Sequence, residues 1–365
     1  MCNVKASGNS GIQISRSGSA NNKAGRDGML WPSYNLIKNC ESSDNCDKGR
    51  NDADGFAAKL TCGNGNKFYG CIAHNNIDDG WDLYAKTVSG EIGSVVIENC
   101  VAYSNGWLTT DDTTAEGYVY GEGNGFKLGG GYLKGGHQLI NSVSFNNGAK
   151  GVTSNSCPDC QIINCTIFGN SSKKGDESYS VGLNTKDSYA KEWVVKGLIS
   201  MASKDDTKME DLIPFALHSA DNFIYDGSAS YNNQGVMATK DWFVNTNSAE
   251  IVPTRNTDGT INMHDLLVLT EAAPKNSGAR LDTTSSAALS VQPTAKAEIG
   301  ATPVEPTTPE VTKPVGPTTP DTSEDTTNTG DTTNSMPFAV MVVLSAAMVA
   351  GVYFFDKKRK VLGRR

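Results

Sequence analysis

The chain has 365 residues, a formal net charge of −8 at pH 7 and 38 glycines, enough sequence for one large packed domain. The acidic balance excludes a nucleic-acid surface and a nucleic-acid partner, and any polyanionic ligand must be drawn in by local positive charge or a metal ion. Abundant glycine and asparagine with few long helical periodicities exclude a helix bundle and predict a loop-rich, all-β fold.

Met1 runs without an apolar leader into Gly11-Ile12-Gln13-Ile14-Ser15, which reads as a glycine-led strand. Because the C-terminal tail described below demands export, the signal and the first solenoid turns are expected to precede Met1. From there to about residue 240 two motifs interleave. Glycine-led strands start at Gly11, Gly55, Gly80, Gly125, Gly151 and Gly182, while an asparagine recurs at Asn45, Asn76, Asn105, Asn147, Asn170 and Asn232, with Ser203 in the slot between the last two. Irregular spacings of roughly 20 to 50 residues around fixed motifs indicate a solenoid with loops of variable length, here a parallel β-helix. Each glycine is expected to take the positive φ of a turn entering a short strand, and the alternation after it to turn one face inward. Stacked asparagines would hydrogen-bond along their column and satisfy backbone groups that the bend exposes. Cys40, Cys71, Cys100 and Cys165 open similar segments and read as small buried packers. Cys157 and Cys160 form a lone Cys-x-x-Cys, read as a local disulfide or redox pair.

Three copies of the glycine-led turn carry different polar residues: Asp54-Gly55-Phe56-Ala57-Ala58, Asp79-Gly80-Trp81-Asp82-Leu83 and Asn124-Gly125-Phe126-Lys127-Leu128. Successive rungs of a solenoid lie about 4.8 Å apart. Asp82 and Lys127 would then be neighbours in one column, with Ala57 leaving room beside them, and Asp54, Asp78, Asp79 and Asp82 would crowd one face. Either a hard cation sits there or the aspartates repel at a cost. Trp81 and Phe126 fall at inward-facing positions. Insertions at 106–122 and 171–180 would overhang this face and shape a groove. His74, His137, His218 and His264 form no spacing pattern.

Residues 262–269 read as a short amphipathic segment that caps or braces the solenoid end. The expected organisation is a β-helix over 1–270, a Thr/Pro/Ser-rich stalk over 271–335, a charge-free span over 336–355 and a basic tail over 356–365. Basic residues after the span place that end in the cytoplasm and the solenoid outside the cell. Thr329-Gly330, the apolar span and the basic tail resemble the sorting signals that sortases cleave, although Thr326 and Thr327 stand where leucine and proline are usual. Attachment to a bacterial membrane or cell wall is expected.

The ordered set Asp54, Asp78, Asp79, Asp82 and Lys127 resembles the motifs of family 9 polysaccharide lyases, pectate lyases built on a right-handed parallel β-helix, over most of residues 10 to 270. The resemblance implies that the four aspartates hold a catalytic Ca2+ and that Lys127 is the base of a β-elimination in pectate (polygalacturonate), acting as a monomer. In that reaction the C5 proton is removed and the bond to the oxygen at C4 breaks. A calcium ion on the adjacent carboxylate would offset the charge that otherwise keeps this proton from leaving. Lys127 must be neutral to act, against an ordinary pKa of about 10.4; a nearby dication and burial favour that form and the aspartates oppose it, so an alkaline optimum is expected. Lys59, on the same side as Ala57, and Lys150, in the slot before Gly151, read either as contacts to a substrate carboxylate or as solvated surface lysines. Tyr84 and Trp107 are the candidates to stack on sugar.

Other readings stay open. The aspartates fit a structural calcium site, and Lys127 fits an ion pair with Asp82. A surface adhesin holding acidic glycans through calcium would need the aspartates but not Lys127. A lyase or epimerase for another uronate polymer would suit the same fold.

Overall fold

The structure is a computed structural model that describes residues 2–16, 31–171, 179–202 and 210–282. Each coil of the chain gives one short strand to each of three parallel sheets, so hydrogen bonds join successive coils rather than neighbours in sequence. This is a parallel β-helix. The first sheet runs in seven strands from Asn3–Lys5 to Ile199–Met201. The second stacks Ile12–Gln13, Phe56–Ala57, Trp81–Asp82, Phe126–Lys127, Val152–Thr153 and Val181–Gly182. The third runs in six strands from Leu36–Lys38 to Val194–Lys196.

Alternation along the second sheet sends Phe56, Trp81 and Phe126 into the bore, where the rings stack with centroids 4.7 and 4.9 Å apart. All three are fully buried. Each contributes about 1.5–3 kcal/mol of burial, and each stacked pair adds about 0.5–1.5 kcal/mol. The next residue of each strand, Ala57, Asp82 and Lys127, lies in register with its neighbours in the column.

At the bend between the first and second sheets, Asn45, Asn76, Asn105, Asn147 and Asn170 form a buried ladder. Each Nδ2 donates to the Oδ1 of the next rung, at 2.7, 2.9, 2.8 and 2.9 Å. The same Oδ1 accepts the backbone N–H of the preceding asparagine, at 3.4, 3.2, 3.2 and 3.1 Å. Asn232 does not join. Its Oδ1 accepts the N–H groups of Gln234 and Val236 instead, because an antiparallel pair, Ile224–Tyr225 with Ser230–Tyr231, has replaced the solenoid coil there. Ser203 lies outside the described residues.

The glycines serve this ladder by what they lack. Gly55, Gly80 and Gly125 do not take positive φ, contrary to the expectation for a turn glycine. A Cβ at Gly80 would fall 2.6 Å from Gly125 O and 2.9 Å from Asn105 Nδ2. The left-handed conformation falls one residue ahead of each ladder asparagine, on Asp44, Asn75, Ser104, Asn146 and Gly169, three of them Asx residues that tolerate it and one a glycine. Cys40, Cys71, Cys100 and Cys165 are buried, and the Cys71 N–H donates to Cys100 Sγ at 3.3 Å. All nine cysteines are free, Cys157 and Cys160 included, so the Cys-x-x-Cys forms no disulfide.

Beyond the last coil the chain returns along the outer face of the first sheet. Phe243, Met263, Leu266 and Ala279 bury there with Tyr103, Phe145 and Phe168. Residues 262–269 thus brace the flank of the sheet. Arg255 donates from Nη2 to Cys40 O at 2.6 Å and from Nη1 to Gly70 O at 2.9 Å. The Tyr69 hydroxyl donates to Asp282 Oδ2 at 2.8 Å, and the Arg280 N–H to Asn141 Oδ1 at 2.6 Å. Packing therefore continues past the boundary expected at 270, through residue 282. The stalk from 283, the span at 336–355 and the tail at 356–365 lie outside the described residues, among which no helix is long and apolar enough to cross a membrane.

Asn105→Ala removes the acceptor of Asn76 and the donor to Asn147 in a site with no water access, and each orphaned buried group costs about 1–3 kcal/mol. The expected result is a fall in the thermal midpoint far larger than that caused by alanine at an exposed asparagine. Equal shifts would show that the ladder contributes little.

Candidate active site

The second sheet and the turns entering it bring the acidic residues together. Asp54 and Asp79 each precede a repeat glycine, and Asp78 precedes Asp79, so the close stacking of Gly55 on Gly80 superposes their turns. Asp54, Asp78 and Asp79 each place a carboxylate oxygen within 4.8 Å of the others. Asp82 lies on the adjoining strand, outside this group of three. All four are buried.

Hydrogen bonding inside the cluster is unequal. Asp79 Oδ1 accepts the Asn124 N–H and Nδ2, both at 2.8 Å. Asp54 Oδ2 accepts the Ser10 hydroxyl at 3.0 Å, and Asp82 Oδ1 accepts the Tyr84 N–H at 3.0 Å. Asp78 Oδ1 and Asp79 Oδ2 are buried and accept no hydrogen bond. An unsatisfied oxygen on Asp78, beside an Asp79 oxygen that lies 3.3 Å from the Lys127 ammonium, fits a hard divalent cation, which takes carboxylate ligands in loose geometry. Burial, followed by repulsion from Asp79 and Asp54, pushes Asp78 well above the usual carboxylate range. Burial also raises Asp54 to about 6 and Asp79 to about 7, against the opposing pull of Lys59 and Lys127. At Asp82 burial acts in the same sense, but Lys59 and Lys127 outweigh it and hold the carboxyl below its ordinary value.

Lys127 is 2 % exposed and stands beside Asp82 in the column. Its Nζ lies 3.3 Å from Asp79 Oδ2 and 3.3 Å from Glu122 Oε2. Burial disfavours its charge, yet Asp82, Asp79 and Glu122 together raise its pKa well above that of a free lysine.

Lys59 stands inside the cluster, against the reading of it as a solvated surface lysine. Its Nζ sits 2.8 Å from both Asp54 Oδ2 and Asp82 Oδ2, with the residue 3 % exposed. The fork between two buried carboxylates raises its pKa despite the cost of burial. Lys150 is half-buried, with Nζ 5.3 Å from the Tyr179 ring centroid. Tyr84 is buried beneath Lys127 Nζ, 5.7 Å from its centroid, and presents little ring for a sugar. Trp107 is half-buried in the 106–122 insertion, edge-on to Tyr120 at 6.0 Å. That insertion is tied down by Arg50 Nη2, 2.8 Å from Asp111 Oδ2, and it delivers Glu122 to Lys127. Most of the other insertion, 172–178, lies outside the described residues. Sequence reasoning missed Glu122, Ser10 and Asn124 as site residues; Asn124 was visible as the residue preceding Gly125, in the slot that Asp54 and Asp79 hold.

A family model described as "Pel9A-like, right handed beta helix region" matches residues 1–186. Pectate lyase L of Thermoclostridium stercorarium is 46 % identical over 246 residues, covering 67 % of this chain and 18 % of that protein. Pectate lyase L of Paenibacillus polymyxa (strain SC2) is 38 % identical over 249 residues, covering 67 % of this chain and 50 % of that one. The chain thus spans half or less of the length of these relatives. The crystal structure of pectate lyase Pel9A is similar with a TM-score of 0.55 and 28 % identity, covering 74 % of this chain and 57 % of that one.

The raised carboxyls set a pH dependence of stability. A folded-state pKa above the unfolded value gives stability that is full below the unfolded pKa of about 3.8 and is lost as pH rises through the folded value, here about 6 to 7. Asp82, Lys59 and Lys127 keep one charge state across that window. Asp211, also pushed up to about 6 by burial, adds to the same trend. In chelator the chain is expected to melt at a lower temperature at pH 8 than at pH 5, with a smaller difference in Asp79→Asn. A midpoint that rises over this interval would contradict the charge assignment.

Proposed function

The chain belongs to the Pel9A-like right-handed β-helix family, polysaccharide lyase family 9, and on that premise we propose that it is a calcium-dependent pectate lyase cleaving polygalacturonate by β-elimination, with Lys127 as base. The observation that carries this reading is the convergence of Asp54, Asp78 and Asp79 beside a buried lysine on the adjoining rung. The β-helix alone would not, since the fold hosts several activities.

Asp54, Asp78 and Asp79 would hold the ion, with Asp82 at its border. When bound, calcium supplies positive charge that neutralises the uronate carboxylate next to C5 and opposes the protonation of Lys127. Lys127 Nζ takes the C5 proton; the C5–H electron pair forms the double bond to C4, and the C4–O4 bond breaks. The leaving chain departs with the oxygen and its electron pair and takes a proton from solvent water. Glu122 Oε2, 3.3 Å from Nζ on a side chain 42 % exposed, passes the captured proton to solvent. Lys59 holds Asp54 and Asp82 at fixed separation and offsets part of the negative charge of the cluster. The charge-free stretch at 336–355 and the basic residues after it support attachment to the cell surface.

The test follows ultraviolet absorbance of the unsaturated product from polygalacturonate. Absorbance is expected with calcium and to vanish in chelator. Lys127→Ala should lower the rate by roughly 10²–10⁴-fold with the fold intact by circular dichroism. At saturating calcium the rate should rise from pH 7 to pH 9, as the neutral amine becomes populated; a falling rate rules out a lysine base. A folded chain that retains polygalacturonate with calcium but yields no absorbance would favour a glycan-binding solenoid.

A further inference from the structure

Downstream of the site, the turns leaving three successive rungs of the second sheet are knitted together. Asn155 Nδ2 donates to Gly129 O at 3.0 Å, Ser154 Oγ to Asn184 O at 3.0 Å, and Thr185 Oγ1 to Ser156 O at 3.0 Å. On this frame stand two exposed aromatics. Tyr132 and Tyr189 are 36 % and 42 % exposed, and their rings stack with centroids 6.1 Å apart and planes 18° from parallel. Lys186 Nζ lies 4.0 Å from the Tyr132 centroid. Lys134 is paired with Glu192 and Lys191 with Asp187, whereas no ion pair holds Lys186 among the described residues.

Two features mark this as more than a solvated surface. Tyr132 has φ +60°, a left-handed conformation that a bulky residue adopts at a cost of order 1–3 kcal/mol and that clusters at functional positions. The pair is also continuous with the site: Gly130 packs directly on the Tyr84 ring, where a side chain would clash, and that ring lies under Lys127 Nζ.

We propose that Tyr132, Tyr189 and Lys186 form a subsite for an ionised uronate residue of the polymer held in the active site, an assignment that rests on the pectate lyase reading. The aromatic pair offers a flat apolar face to the C–H side of a pyranose ring. Lys186 pairs with the sugar carboxylate, so a methyl ester, which carries no charge, is held less well. The subsite lies away from the reacting C5 and binds ground state and transition state alike, so it sets KM and chain-length preference rather than kcat.

Tyr189→Ala, Tyr132→Gly and Lys186→Gln in the 365-residue chain test it. Each should raise KM for polygalacturonate by about tenfold with kcat changed less than twofold, the scale of one anchor residue. Lys186→Gln should also narrow the preference for unesterified over methyl-esterified polymer. Tyr132→Gly should melt no lower than the parent chain, since glycine relieves the strained φ while the ring is lost. A parallel readout is retardation in gels containing polygalacturonate, with calcium present. Lyase activity with KM unchanged in all three variants overturns the subsite. Retardation that the variants lose, in a chain that forms no unsaturated product, upholds the subsite and removes the lyase reading. No retardation of the parent chain, with no activity, overturns both.

Discussion

A buried side-chain amide that donates up its column and accepts from below sets the terms for the rest of this molecule. Asn45, Asn76, Asn105, Asn147 and Asn170 lie where the chain bends between sheets, and the amide of each repairs the backbone hydrogen bonding that the bend disrupts. Rungs joined this closely leave no volume for a side chain at Gly80 or Gly125. Once the rungs are locked in register, a residue chosen on one coil has a fixed neighbour on the next. Residues distant in sequence, such as Asp82 and Lys127, thereby become a column.

The same rigidity lets the chain maintain an arrangement that charge alone would scatter. Four buried aspartates face two buried lysines, and their partners differ. Lys59 is forked between Asp54 and Asp82 at short distance, whereas Lys127 reaches Asp79 and Glu122 more loosely, at 3.3 Å. One ammonium is a fixed counter-ion; the other has a partner on a partly exposed side chain and so a route for its proton. Asp78, with an oxygen that nothing satisfies, is the point at which the protein's own donors end and an external cation fits.

Much of this was legible in the sequence because a solenoid turns spatial neighbours into equivalent positions of a repeat. The aspartates, Lys127, the inward Trp81 and Phe126 and the ladder through Asn170 all follow from aligning glycines and counting. What escaped were the features that do not repeat. Lys59 lies on the expected side of its strand, but a residue's periodicity does not reveal that two carboxylates will draw its ammonium inward. Glu122 arrives from an insertion whose path is its own. Asn232 matched the motif yet lies past the last coil, where local turn hydrogen bonds replaced the ladder. The repeat glycines were placed correctly and explained wrongly, because a conformational argument applies to any turn glycine, whereas the need here is for space beside an amide that belongs to a different coil.

The return segment along the first sheet changes how this solenoid responds to force and heat. A bare stack of coils has only nearest-neighbour contacts, so it frays from either end, one rung at a time. Here Arg255 grips the carbonyls of Cys40 and Gly70, Asp282 takes the Tyr69 hydroxyl and Arg280 joins Asn141. The last part of the folded chain is thus riveted both to coils near its beginning and to one further along the stack. Peeling a rung between Cys40 and Met201 must first tear a seam that crosses its neighbours as well, and much of a linear array is thereby made into one cooperative unit.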